Sequence, residues 1–204
     1  ARRVADQLAQ LRGAAMKVGQ LMSMDAGDLL PPELTEILAR LRADAKPMPL
    51  SQLAKILEEN WGKNWNTRSK QFSFQPLAAA SIGQVHSAHT KDGRHLALKV
   101  QYPGIRESID SDVDNVASLL RLSGLIPKHM DINPLLEEAK TQLHAEADYE
   151  LEAEWLRQYQ TLLATNQEDY TLPEVYEDFC TSNILAMSFV GGVPVESLSN
   201  ATQE

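Results

Sequence analysis

The chain has 204 residues, of which 43% are hydrophobic and 23% charged, enough to bury a sizeable core in one domain or two. Its formal net charge of −9 argues against non-specific binding to nucleic acid or an anionic lipid surface, because both partners require a basic face. The single cysteine, Cys180, excludes an intramolecular disulfide and a multi-cysteine zinc cluster.

Val4, Leu8, Leu11, Ala15, Val18 and Met22 recur at spacings of 4, 3, 4, 3 and 4, which predicts one helix face. Gly13 and Gly19 interrupt it at about 1 kcal/mol each relative to alanine. A glycine kept at that cost points to a close neighbour. Pro31-Pro32-Glu33 opens a second predicted helix with Leu34, Ile37, Leu38 and Leu41 inside. Ser51 is placed to cap a third, with Leu53, Ile56 and Leu57 inside. Trp61 to Gln71 is polar and reads as a linker.

The stretch Phe74–Tyr102 carries the densest signals. A run of small residues, Ala78-Ala79-Ala80-Ser81-Ile82-Gly83, separates strand-like segments. Lys91-Asp92-Gly93-Arg94 then predicts a hairpin turn, and Leu96-Ala97-Leu98-Lys99-Val100 a further strand. In strict alternation Ala97, Lys99 and Gln101 share one face, which alternation alone leaves either solvated or covered. Strand, small-residue loop, strand, turn and lysine-bearing strand is the layout of the phosphate-covering half of a kinase-like N-lobe. Alanines make such a loop stiffer and bulkier than glycines would.

Pro103-Gly104 ends the strand. Ile109, Val113, Val116, Leu119, Leu120 and Leu122 predict a helix that closes at Gly124 and Pro127. Asn133 as N-cap and Pro134 at the first position start the next, expected to run unbroken to about Thr165. Its apolar set is Leu135, Leu136, Ala139, Leu143, Leu156, Tyr159 and Leu163. On one continuous helix Glu146 and Glu152 would sit about 120° apart and about 9 Å apart along the axis, each free to serve a different lysine. Asp148, Glu150 and Glu154 complete the acidic run, which as a bare pattern is also a solvated face. Leu172–Glu177 and Ile184–Val190 are strand-like, and Val195–Leu198 begins another predicted helix.

The five histidines show no metal-ligand spacing, and no Ser/His/Asp or Cys/His triad is recognisable. No apolar run approaches the roughly 18–20 residues of a membrane-spanning helix, and no signal peptide stands out. One cysteine suits a reducing, cytosol-facing environment. The sequence starts without Met inside a helical pattern and reads as part of a longer protein.

Taken together, Lys17-Val18-Gly19-Gln20, Pro31-Pro32-Glu33-Leu34, Ala78 to His86, Lys99 and Glu146-Ala147-Asp148 resemble the UbiB/AarF family of atypical protein-kinase-like proteins, linked to ubiquinone biosynthesis. The resemblance spans nearly the whole chain. It implies an α+β fold: a kinase-like N-lobe with a small antiparallel sheet and a long C-type helix, preceded by a helical extension. Residues 1–62 would be the extension with its K-x-G-Q motif, 70–192 the N-lobe, and 193–204 the start of the hinge and C-lobe.

By the same resemblance Lys99 contacts nucleotide phosphates and pairs with Glu152, while Glu146 faces Lys17. Gln20 helps cap the site, Glu146 and Asp148 form the E-x-D motif, and Ala78, Ala79, Ala80, Ser81 and Gly83 cover the phosphates. Met187 lies at the hinge, where Ser188 replaces the acidic residue often found next. The implied ligands are ATP or ADP with Mg²⁺, the metal held mainly by C-lobe residues outside this chain, with no metal ligand assigned within it and Glu146 and Asp148 placed to contribute near the metal. The implied partners are a lipid or quinone precursor and biosynthetic-complex proteins, with no nucleic acid. The implied location is cytoplasmic, peripheral to a membrane in the full-length form. A kinase-like phosphotransferase or ATPase is the leading reading. A nucleotide-regulated scaffold for a lipid-biosynthetic complex and a protein kinase proper are the alternatives. Residues 1–204 alone are expected to bind nucleotide weakly or not at all and to self-associate.

Overall fold

The computed structural model describes residues 11–26, 47–124, 126, 131–164, 170–193 and 197. The helix expected from Pro31, the helix expected from Val195 apart from Ser197, and Val4 and Leu8 of the first helix lie outside them. The helices are α1 (Arg12–Ala26), α2 (Leu50–Trp61), α3 (Ile105–Ser123), α4 (Asn133–Ala147) and α5 (Tyr149–Leu162). The strands are β1 (Ser69–Phe72), β2 (Ala78–Ala79), β3 (Gly83–Thr90), β4 (His95–Gln101) and β5 (Ile184–Ser188).

All strand pairs are antiparallel, in the order β1-β3-β4-β5, with β2 folded back onto β3. The predicted hairpin is present: Gly93 has φ 95°, and Thr90 N donates to Arg94 O at 2.9 Å. This is the α+β architecture expected of a kinase-like N-lobe.

Two apolar cores lie on the two faces of the sheet. The back core joins Leu53, Ile56 and Leu57 of α2 to Leu96, Leu98 and Val100 of β4 and to Ile184 and Ala186 of β5. The front core joins Ala14, Ala15, Val18 and Met22 of α1 to Ile109, Val113 and Leu120 of α3 and Leu136, Ala139 and Leu143 of α4, with Ile82 and Leu185 from the sheet side. Alternation along β4 turns Leu96, Leu98 and Val100 into the back core, which is why its even-numbered residues are uniformly apolar, and Ala97, Lys99 and Gln101 to the front.

Several expectations are corrected. The long helix is two, broken at Asp148, whose backbone (φ −91°, ψ 88°) leaves the helical region. The break rotates the inward face, so Tyr149 and Ala153 turn into the core while Tyr159 is exposed. On α3, Leu122 is likewise exposed. Asn133 is the first helical residue rather than the cap, and its side chain and amide both donate to Asp131 Oδ1. Ser51 lies inside the first turn of α2, which starts one residue earlier after Pro49 and has no side-chain cap.

The expected linker is packed structure. Trp61 ends α2 against the Phe179 ring (centroids 5.7 Å apart), Trp65 sits edge-on to Phe72, and Ser69–Phe72 forms β1. Of Leu172–Glu177 only Val175 bridges, to Met187. The β5 strand stops at Ser188 rather than at Val190.

Candidate functional site

The site grows from β4. It is an inner strand, bonded to β3 and β5 on either side, with Lys99 opposite both Val85 and Leu185. Leu98 and Val100 fill the back core, so the two-residue period turns Lys99 to the front, beneath α5. Its side chain is 17% exposed, and its Nζ donates to both carboxylate oxygens of Glu152, at 2.9 and 2.7 Å. An ammonium has three N–H donors, and the two oxygens of one carboxylate engage at most two of them, so at least one direction is left over.

A second pair lies beside the first. Lys17 of α1 donates to Glu146 Oε1, and Ser81 Oγ donates to Glu146 Oε2 at 2.6 Å. One carboxylate at the end of α4 therefore ties α1 to the loop after β2. Gly13 shows how close that approach is: a Cβ there would lie 2.7 Å from the carbonyl oxygen of Ser81. The loop is closed by Ala80 N donating to Gly83 O at 2.9 Å, and anchored by Ile82, which is buried in the front core.

The break between α4 and α5 sets the two carboxylates independently. Its freed carbonyl, Ala147 O, accepts from Gln101 Nε2 at 2.6 Å and from Arg106 Nε at 2.8 Å. Asp148 caps α5 by accepting from Leu151 N at 3.1 Å, and lies 3.7 Å from the Arg106 guanidinium. The ring of Tyr149 fills the space beneath Lys99.

The structure joins Lys99 to Glu152 and, separately, Lys17 and Ser81 to Glu146, with both carboxylates near Tyr149. Asp148 is adjacent but occupied by its capping role. Ala78 and Ala79 are exposed and belong to β2 rather than to a free loop. Gln20 is exposed and makes no hydrogen bond to these carboxylates. Met187 lies opposite Ala97 on β5, on the sheet face of Lys99. Gln101, Arg106 and Tyr149 were not singled out in the sequence. Gln101 was legible through its alternation with Lys99. Arg106 and Tyr149 act across long separations and left no local pattern.

The residues fit a phosphate chain in donor type: a lysine with a spare N–H sits beside a turn of small residues. Among the described residues, no three His, Cys, Asp or Glu side chains converge as a metal site. None of the described helices is long and apolar enough to cross a membrane.

Comparison with known proteins identifies the family. Residues 40–204 match the ABC1 atypical kinase-like domain. The chain is similar to "Atypical kinase COQ8, mitochondrial" of Saccharomyces cerevisiae, 39% identical over 202 residues, covering 99% of this chain and 40% of that protein. It is similar to "Atypical kinase COQ8B, mitochondrial" of Rattus norvegicus at 38% identity, covering 100% and 38% respectively. The solved complex of Rv3197 with erythromycin from Mycobacterium tuberculosis matches in fold with a TM-score of 0.58 and 28% identity, over 98% of this chain and 51% of that one. The chain thus spans about two-fifths of the length of these curated relatives. With residues 40–204 matched throughout, the chain belongs to the ABC1 atypical kinase-like family, the UbiB/AarF group to which its lysine, alanine-loop and E-x-D motifs pointed.

Proposed function

We propose that this chain is the nucleotide-binding lobe of a UbiB-like ATPase or kinase that supports ubiquinone (isoprenoid quinone) biosynthesis. The observation that carries the reading is the two-oxygen grip of Glu152 on Lys99, on an inner strand beside the Ser81 turn. Kinase-like sites use such a lysine–glutamate pair to present one ammonium to phosphate oxygens. Here Lys99 offers its remaining N–H, and Glu152 fixes its direction. Ala78 to Gly83 cover the phosphates, and Lys17 with Gln20 cap the site from the extension. Glu146 and Asp148 hold that extension in place. ATP with Mg²⁺ would supply the transferable phosphoryl group.

In this reading residues 1–62 are the extension, 70–192 the lobe and 193–204 the start of the hinge. The relatives' names carry COQ8 and "mitochondrial", which favours a place beside a quinone-biosynthetic assembly, peripheral to a membrane.

In the full-length protein, Lys99→Ala is expected to abolish nucleotide hydrolysis, measured as phosphate release. Turnover equal to wild type would refute the role. A nucleotide-regulated scaffold is the second reading. It draws on Glu146, whose two oxygens are already engaged by Lys17 and Ser81 in holding elements together. If wild-type protein binds Mg-ATP yet hydrolyses no faster than Lys99→Ala, the scaffold reading replaces the enzyme.

A further inference from the structure

We propose that Tyr149 is a positioning residue for Lys99: the face of its buried ring is the floor on which the ammonium rests, and with Glu152 it makes a fixed seat for that charge. The geometry stands alone, while its consequence for nucleotide binding rests on the function proposed above.

Tyr149 opens α5 immediately after the break and is 1% exposed. Lys99 Nζ lies 5.0 Å from its ring centroid. Glu152, three residues further along α5, accepts from the same ammonium through both carboxylate oxygens. A lysine stem has four rotatable carbons and much rotamer freedom, and a carboxylate alone fixes only where the head is pulled. A ring beneath adds a second constraint, because the electron-rich π face attracts the cation and excludes water from that side.

The other end of the ring meets a glycine. At Gly83 a Cβ would lie 3.1 Å from Tyr149 Oη and 2.3 Å from Val100 O. Bare backbone at Gly83 makes room for the phenol end, so β3, β4 and α5 together set the ring's position. The Tyr149 hydroxyl, in contrast, is buried without a hydrogen-bond partner among the described residues. Burial, with the Glu152 and Glu146 charges nearby, pushes its pKa well above the usual phenol range. It therefore stays protonated and performs no proton transfer near neutral pH. The ring face is what remains to act on Lys99.

The test uses the full-length protein and reads two signals. In ¹⁵N-resolved spectra of lysine ammonium groups, wild type and Tyr149→Phe are expected to show a Lys99 signal displaced upfield by the ring current. Tyr149→Leu is expected to lose that displacement while the Lys17 signal stays in place. For nucleotide, Tyr149→Phe is expected to keep the wild-type dissociation constant for Mg-ATP within two-fold, and Tyr149→Leu to weaken it about ten-fold. Leucine also disturbs packing, so a series of 4-fluoro-, 3,5-difluoro- and pentafluorophenylalanine at position 149 keeps the ring shape and removes the charge on its face. A dissociation constant that rises along the series at constant melting temperature supports the seat; a flat series overturns it. An undisplaced Lys99 signal in wild type also overturns it. A displaced signal in a protein that fails to bind Mg-ATP supports the seat and refutes the nucleotide-lobe reading instead.

Discussion

Two single residues expose how tightly the sheet is built. Adding a methyl group at Gly83 would drive it against Val100 O, a backbone atom held in register by the β3–β4 ladder. No side chain can swing aside, so Gly83→Ala is expected to cost about 3 kcal/mol, the upper end for overpacking. Urea denaturation would read this as a lowered midpoint, and an unchanged midpoint would contradict the geometry. His86 makes the second case. It is buried on the back face, with Nδ1 bonded to Ser73 O at 3.0 Å and Nε2 without a partner among the described residues. Burial lowers its pKa below the ordinary 6.5, with the Ser73 bond partly opposing. The folded state therefore binds this proton less readily than the unfolded one. Stability is full above pH 6.5 and falls as acid takes the pH down through the lowered folded value. His86→Leu should lose less stability than wild type between pH 7.5 and 5; equal losses would exclude His86 as a source.

At the scale of elements, the α4–α5 junction decides the site. The Asp148 carboxylate caps α5, with Glu150 and Glu152 in the favourable first turn. Asp148→Ala is expected to cost about 1 kcal/mol and Asp148→Asn much less, measured by thermal unfolding. Comparable losses in both would remove the cap from the account. This junction was also the least legible part of the sequence. Glu, Ala, Tyr and Leu surround it, with neither Gly nor Pro to mark a stop. The break is instead stabilised from afar, by Gln101 and Arg106 donating to Ala147 O.

The hairpin at Asp92-Gly93 was readable because its turn chemistry is local. The face of Lys99 followed from a period of two. That the face is covered did not follow, since α5 arrives from fifty residues away. Trp61 and Trp65 were taken for linker residues because their partners, Phe179 and Phe72, lie elsewhere in the chain.

The whole molecule is a wall with a core on each side. α2 stands behind the sheet, while α1, α3, α4 and α5 stand in front. Lys17 and Glu146, joined to Ser81, tie α1 to the sheet side. The surface of α5 beyond the site carries exposed Trp155, Tyr159 and Leu162 at spacings of 4 and 3. One consequence concerns time rather than energy. The amides of β3 and β4 are covered by both cores, whereas those of α1 depend on the front core alone. Loss of the front layer would free α1 for hydrogen exchange while α2 still shielded the strands. Exchange should therefore come in two waves, α1 first and the central strands last, so the helix that carries Lys17 belongs to the more readily opened half of the fold.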